Sequence, residues 1–319
     1  MRGDWVRQAR SVFGWALAAG AVAWAGTLLS ACAARSAPPH DTGDTLELRI
    51  LDVGQGDAIL IRNAGRTVLV DAGETDRIAA QLQALGVDTL DLVVASHNHD
   101  DHIGGMDAVL RAFPVRGYLD NGHPANTRIQ RTVLTLLRER GIAYHEAAEL
   151  SDSIVTLGDA TLRVIPSPVR GDHVNANDES VALLLTRGGF RALLTGDSER
   201  RELAALLRGG RIPDVDVLKA PHHGSRTGVL RAWLERTRPE IVVVSVAAGN
   251  SYGLPDEDAM AAYGAEGRTV LRTDRDGDVV VSVDPRGCYR VDGSGPRSVP
   301  PVLGGPAACV RTPAKETVP

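Results

Sequence analysis

Apolar and polar residues alternate through Leu46, Glu47, Leu48, Arg49 and Ile50, the period-two pattern of a strand with one buried face. Short apolar runs follow at 58–61 and 67–70, separated by Gly and Asn, so the folded part of the chain is predicted to open near Thr45 as a β meander. The period then changes. Ile78, Leu82 and Leu85 sit at helical spacing in a stretch rich in Ala and Gln that stops at Gly86. A strand over 91–96, helices over 105–112 and 128–140, and strands over 154–157, 161–165, 181–186 and 191–194 come next. The theme then repeats: helices over 199–207, 229–237 and 256–263 alternate with strands over 215–218, 241–246, 269–272 and 279–283. Two similar halves of mixed strands and helices predict an α/β fold with two packed sheets and helices outside, a four-layer αββα sandwich. Periodicity alone does not separate this from a doubly wound α/β sheet.

On either side of this region the pattern is of another kind. Arg2, Arg7 and Arg10 precede an apolar run over 12–29, the grammar of an export signal. The run ends in Leu29-Ser30-Ala31-Cys32, which resembles the bacterial lipobox, where the Cys thiol receives lipid. Residues 1–32 are therefore expected to be a lipoprotein signal peptide, and the mature chain to be extracytoplasmic and held to a bacterial membrane through lipid on Cys32. The alternatives are an uncleaved anchoring helix, since the run is almost long enough to span a bilayer, or plain secretion. Ala33 supplies no acidic retention signal, which favours an outer destination. Residues 33–44 read as a flexible tether, 45–291 as the folded domain, and 292–319, rich in Gly and Pro, as an irregular tail. Cys288 and Cys309 either join in a disulfide that ties down that tail or remain two unrelated thiols.

With 43% hydrophobic and 24% charged residues, the 319-residue chain can bury a core of one large domain or two ordinary ones. A net charge of −5 excludes a protein that grips nucleic acid over its whole surface, so any polyanion must be held locally. Basic residues from Arg200 to Arg226 are one local candidate, although the same residues also suit a solvated helix face.

The chemistry concentrates in Ser96-His97-Asn98-His99-Asp100-Asp101-His102-Ile103-Gly104-Gly105, directly after a run of β-branched residues. Its polar side chains are expected at the open end of a buried strand. Crowded imidazoles repel one another when charged, so three of them beside a carboxylate point to a divalent metal such as zinc, manganese or iron.

His97-x-His99-x-Asp101-His102 resembles the metal-binding signature of the metallo-β-lactamase superfamily. Leu51-Asp52-Val53-Gly54-Gln55-Gly56-Asp57-Ala58, Leu69-Val70-Asp71-Ala72-Gly73, Leu194-Thr195-Gly196-Asp197, Leu218-Lys219-Ala220-Pro221-His222-His223-Gly224-Ser225 and Leu271-Arg272-Thr273-Asp274 occur in order around it. Together they resemble the metallo-β-lactamase-like domain of the ComEC DNA-uptake channel proteins, over 46–283. A single long apolar run stands here in place of channel segments, so the resemblance does not carry a transport role.

The resemblance implies two divalent ions, with zinc the first choice and manganese the second. His97 and His99 would hold the first, Asp101, His102 and His223 the second, and Asp197 would bridge them. The remaining ligand of the first ion is either Asn177, near the Ser of the family pattern, or His173, the better ligand chemically; either residue can equally serve its loop. Asp52, Gln55, Asp57 and Asp71 read as residues that orient ligands or fix loops. His40, His123 and His145 stand alone and receive no role.

Two cations about 3.5–4 Å apart lower the pKa of water and stabilise both attacking and leaving oxygens, so no protein nucleophile is needed. The chain is accordingly expected to be an exported phosphodiesterase or nuclease. Asp101 would relay a proton to the leaving group, His222 would meet the oxyanion, and Lys219 or Arg226 would counter the growing charge. The competing readings are an ester, lactone or β-lactam hydrolase on the same centre, or a non-catalytic lipoprotein that assists DNA uptake. No obligate protein partner is evident.

Overall fold

The computed structural model describes residues 44–169, 171, 174–295, 301–306 and 309. The signal segment, the tether up to residue 43, Cys32 and His173 lie outside the described residues. No helix among those described is long and apolar enough to cross a membrane.

Among the described residues, nine strands form one sheet and seven a second. The chain enters the first with β1 (Leu46–Ile50), β2 (Ile59–Asn63), β3 (Arg66–Val70), β4 (Leu92–Val94), β5 (Gly117–Asp120) and β6 (Ala143–Glu146). It crosses to the second for β7 (Ile154–Leu157), β8 (Ala160–Ile165), β9 (Ala182–Arg187), β10 (Phe190–Leu194), β11 (Val217–Lys219), β12 (Ile241–Val244) and β13 (Thr269–Arg272). It then returns for β14 (Val279–Val283), β15 (Tyr289–Gly293) and β16 (Val302–Gly304). The spatial orders are β16-β15-β14-β1-β2-β3-β4-β5-β6 and β13-β12-β11-β10-β9-β8-β7. Each sheet thus has an antiparallel part and a run of four parallel strands, β3 to β6 in one and β10 to β13 in the other.

Helices α1 (Arg77–Ala84), α2 (Asp100–Ile103, a single turn), α3 (Met106–Ala112) and α4 (Arg128–Glu139) belong to the first half; α5 (Arg200–Arg208), α6 (Arg231–Thr237), α7 (Glu257–Gly264) and α8 (Thr273–Asp276) belong to the second. The layers follow from what each face buries. Leu46, Leu48 and Ile50 of β1 pack between the sheets with Leu162, Leu183, Leu185 and Val243. On the outer face of the first sheet, Leu69 and Val93 meet Ile78, Leu82, Val109 and Val133. On the outer face of the second, Leu218 and Val242 meet Leu203, Trp233 and Tyr263. The result is the αββα sandwich expected from the sequence. The parallel strands carry unbroken apolar runs such as Ile241-Val242-Val243-Val244 because both of their faces are covered.

Two expectations need correction. The tail is not irregular throughout: Val302–Gly304 pairs with β15, and Cys309 just beyond is joined to Cys288 just before it, with the Cα atoms 5.4 Å apart. That bond brings an otherwise unremarkable Val-Leu-Gly segment alongside a strand edge. The second concerns only what precedes a helix: the one expected over 105–112 is present as α3, and the unforeseen turn α2 before it carries His102.

Candidate metal centre

Every expected ligand that the structure describes, apart from Asn177, follows the C-terminal end of a parallel strand. Asp71 follows β3, residues 96–102 follow β4, Asp197 follows β10, His222 and His223 follow β11, and Ser245 follows β12. Strand interiors here are apolar on both sides, so polar groups gather where the ladders end. Tight approach is needed there. A Cβ on Gly56 would overlap the carbonyl oxygen of Asp101, and one on Gly196, at φ +50°, would lie 2.8 Å from the Ser96 side chain.

His102 and His223 face each other with their Nε2 atoms 3.3 Å apart. The Nδ1 of His102 donates to Asp71 Oδ2 at 2.8 Å, and Asp71 is fixed in turn by Ser96 N and Oγ, both at 2.7 Å. The Nδ1 of His223 donates to the Ser245 carbonyl at 2.9 Å. With both Nδ1 protons committed, each ring turns its Nε2 toward the other and offers a lone pair there once that nitrogen gives up its proton. Asp197 Oδ1 lies 3.3 Å from both Nε2 atoms, and Asp101 Oδ2 lies 3.2 Å from that of His223. Two imidazole lone pairs and two carboxylates therefore converge, and only positive charge between them can hold them together. This donor set suits zinc or a similar divalent ion. Asp71 and Ser245 are the outer partners that hold such imidazoles in orientation.

Beside this quartet, His97 Nε2 lies 2.9 Å from His99 Nδ1. Asn177 lines the same cleft as His99 and Asp197, and its buried Oδ1 has no hydrogen-bond partner, as expected of an oxygen meant for another ligand. Of the two residues proposed for the remaining position, Asn177 lies at the cleft and His173 is outside the described residues. The cleft, about 670 Å³, is lined further by Gln55, Glu74, Thr127 and Tyr252.

Charges answer one another across the site. Burial lowers the proton affinity of His102, but Asp197 and Asp71 outweigh it and raise its pKa well above the ordinary value. Burial also opposes the charge on His223, yet Asp197, Asp57 and Asp101 lift it to about 9. His97 goes the other way: burial and the neighbouring His102 hold it well below the usual value, which leaves its lone pair free. Burial alone would raise the Asp101 and Asp197 carboxyls, but the imidazoles hold both below the usual carboxylate range. A divalent cation entering the quartet displaces the protons that balance it in the protein alone.

A profile of the metallo-beta-lactamase superfamily matches residues 51–248. The chain belongs to that superfamily. It is similar to ComE operon protein 3 of Bacillus subtilis, 27% identical over 256 residues, which cover 73% of this chain and 32% of that protein. It is also similar to Competence protein ComA of Neisseria gonorrhoeae, 30% identical over 234 residues, which cover 72% and 31%. The chain thus spans about a third of the length of these curated relatives. Among solved structures it resembles Igni18, a metallo hydrolase of Ignicoccus hospitalis, with a TM-score of 0.50 and 17% identity over 74% of this chain and 98% of the other, a likeness of fold. The chain thus has the metallo-β-lactamase fold, and its His/Asp cluster is able to bind divalent metal ions.

In this superfamily member three expected roles change. Lys219 does not face substrate: it is 1% exposed, ion-paired to Asp57, and its Nζ lies 3.9 Å from Asp197 Oδ1, so it is an internal cation beneath the ligands. Arg226 is turned outward and held by Asp256 at 3.1 Å, away from the cleft lining. Asp52 is exposed and caps its own loop through Gly54 N at 3.3 Å, touching no ligand. Asp57 does lie in the second layer, 3.6 Å from His223 Nδ1.

Sequence reasoning missed Glu199. Its Oε1 lies 3.2 Å from His222 Nδ1, accepts from Thr227 Oγ1 at 3.2 Å and from Asn177 Nδ2 at 3.3 Å. This sets the His222 ring so that Nε2 looks toward Asp197 Oδ2, 3.8 Å away. His222 and His223 both have left-handed backbones, at φ 49° and 51°. Two consecutive strained residues at a ligand position are the kind of distortion that functional sites retain.

Glu202, next to this network on α5, makes a prediction about stability. Ser167 and Ser198 favour its ionised form, but their hydroxyls are committed to the Asp178 and Thr195 carbonyls, and burial wins, pushing the carboxyl well above 4.5. The fold keeps a proton that the unfolded chain releases above about pH 4.5, so stability falls as pH rises from there toward the raised folded value. Glu202→Gln removes that dependence. Calorimetry is expected to show Tm raised by about 2 °C or more at pH 8, the shift given by about 1 kcal/mol, and little change near pH 4. An equal shift at both pH values would contradict the neutral-acid assignment.

Proposed function

We propose that the chain is an exported phosphodiesterase or nuclease that works with two divalent cations, zinc first and manganese second. The observation that carries the metal chemistry is the convergence of four acceptors, Asp101, His102, Asp197 and His223, at the floor of an open cleft. His97, His99 and Asn177 would hold the first ion, Asp101, His102 and His223 the second, and Asp197 would bridge. Bound there, the cations supply Lewis acidity that brings the pKa of water near neutrality.

The chain's own residues do the rest. Asp101, with its side chain 21% exposed at the cleft, accepts the proton of the attacking water and passes it to the leaving oxygen. His222, steered by Glu199 and Thr227, directs Nε2 into the cleft and donates to a phosphoryl oxygen. A polar group beyond the metal ligands, His222, suits the second non-bridging oxygen of a phosphodiester, which a carboxylic ester lacks. We further propose that the chain is lipid-anchored through Cys32 outside the cytoplasm; the Cys288–Cys309 disulfide supports an oxidising compartment.

Full-length protein loaded with zinc or manganese is expected to hydrolyse bis-p-nitrophenyl phosphate and single-stranded DNA, and Asp101→Ala to lose both activities by at least about a hundredfold. Turnover of a lactone without any diester cleavage would overturn the substrate assignment, and DNA retention with no turnover would favour a binding lipoprotein. For the anchor, Cys32→Ser is expected to leave the membrane fraction; retention there would contradict lipidation.

A further inference from the structure

Two features at the margin of the cleft have no part in the chemistry above. The first is Tyr252, which lines the cleft and is yet 68% exposed. Its loop is braced from within. Asn250 Oδ1 accepts from the backbone N–H groups of Tyr252 and Leu254, both at 3.1 Å, and Asn250 Nδ2 donates to the Ala247 and Leu254 carbonyls at 2.9 and 2.6 Å. An aromatic ring left in water on a fixed loop is a ready stacking surface.

The second feature begins where the cleft passes onto α4. Ala125 and Thr127 belong to the cleft lining, and the next residue, Arg128, opens a separate groove of about 380 Å³ between α3 and α4. Arg111, Arg128, Arg131, Thr132 and Thr135 line it, with Glu139 at the far end of α4 as its only acidic lining residue among those described. Arg128, Arg131, Thr132 and Thr135 share one helical face. Arg128 has no side-chain partner among the described residues, Arg131 donates only to the Asn126 carbonyl, and the pair of Arg111 with Asp107 is long at 3.9 Å. The groove thus holds three guanidinium groups against one carboxylate in a chain of net charge −5. The segment between the two spaces is firm: Thr127 caps α4, and Gln130 holds the backbone of residues 123, 125 and 126.

We infer that the cleft is the middle of a longer path for a single polynucleotide strand, with an unstacked base on Tyr252 and backbone phosphates in the groove of Arg128, Arg131 and Arg111. Arg128 and Arg131 are separated by about 4.5 Å along the helix axis, close enough for their long side chains to take successive phosphates of one strand. A single strand fits better than a duplex because a base must leave its stack to lie on Tyr252. The path rests on the phosphodiesterase reading for its direction toward the metal centre, but strand binding is measurable apart from turnover.

The test is fluorescence anisotropy with chelator-treated, full-length protein and two labelled single-stranded probes of equal length, one of mixed sequence and one abasic. Tyr252→Ala is expected to weaken the base-bearing probe by about tenfold and leave the abasic probe unaffected, with Tyr252→Trp restoring binding. Arg128→Glu/Arg131→Glu is expected to weaken both probes by at least about tenfold and to reduce the log–log salt slope by about 1.4. Wild-type affinity in Tyr252→Ala, or an unchanged salt slope in the arginine variant, would overturn the path. If the binding effects appear but the metal-loaded protein cleaves no diester, the path stands and the phosphodiesterase reading falls. If bis-p-nitrophenyl phosphate is cleaved while wild-type protein binds neither probe, the path falls and the phosphodiesterase reading stands.

Discussion

Asp197→Ala is expected to reduce metal content from two ions per chain to one or fewer and to lower diester turnover by at least about a thousandfold, while far-ultraviolet circular dichroism stays the same. The size of the effect comes from position. Asp197 Oδ1 is buried, has no hydrogen-bond partner, and sits 3.3 Å from the Nε2 atoms of both His102 and His223. Asp197 Oδ2 lies 3.8 Å from His222 Nε2, so one carboxylate faces both imidazoles of the second ion and the residue proposed to meet the phosphoryl oxygen. The fold loses little, because the carboxylate sits at the end of β10 and contributes nothing to the ladder. Mass-spectrometric metal analysis after loading gives the answer directly: two retained ions with turnover within tenfold of wild type would remove Asp197 from the bridging position.

The second large effect is on stability. Lys219→Met deletes the ammonium that neutralises Asp57, and both side chains are 1% exposed. Breaking a buried pair from one side leaves an uncompensated charge, at a cost of about 3–5 kcal/mol. For a domain of this size, that lowers Tm by roughly 10 °C. Pairing the change with Asp57→Asn is expected to recover much of the loss, since the two residues form one coupled unit. Melting should be followed on both metal-loaded and chelator-treated protein. A single variant that melts within about 2 °C of wild type would show that the ion pair is dispensable, and an additive double variant would show that Asp57 has another counter-charge.

The particular residues explain what could be read in advance. His97 through His102 were legible because five of the six residues in that window are metal-type donors and the sixth, Asn98, is an amide analogue of one, and such density has few structural explanations. The αββα layering was legible from β1, where alternation reports one buried face, and from 241–244, where an unbroken apolar run reports two. β5 and β6 were not. They are four residues each, contain Asp120 and Glu146, and become strands only because β4 offers a ladder to extend. Lys219 was misread for a related reason: one letter says cation, and only the packing of β11 decides whether that cation meets solvent or Asp57. Glu199 carried no local signal, since its contacts with Asn177, Thr227 and His222 reach 22 to 28 positions along the chain. Arg226 was drawn toward substrate by its neighbourhood to the His-His pair, whereas Asp256, thirty residues on, turns it away.

The strand ends that supply the ligands belong to different sheets. His97, His99, Asp101 and His102 come from the first half of the chain, Asp197 and His223 from the second, and neither half contains a complete coordination shell. Ions seated there would act as rivets through the sandwich, joining two layers that otherwise adhere by apolar contact, the Lys219–Asp57 ion pair and hydrogen bonds such as that of Ser245 Oγ with the Gly56 carbonyl. Occupancy then becomes a mechanical property of the fold. At a free metal concentration a thousand times the dissociation constant, a single such rivet adds about 4 kcal/mol against separation of the halves. Metal supply in the surroundings would therefore govern how long the folded protein survives as well as how fast it works.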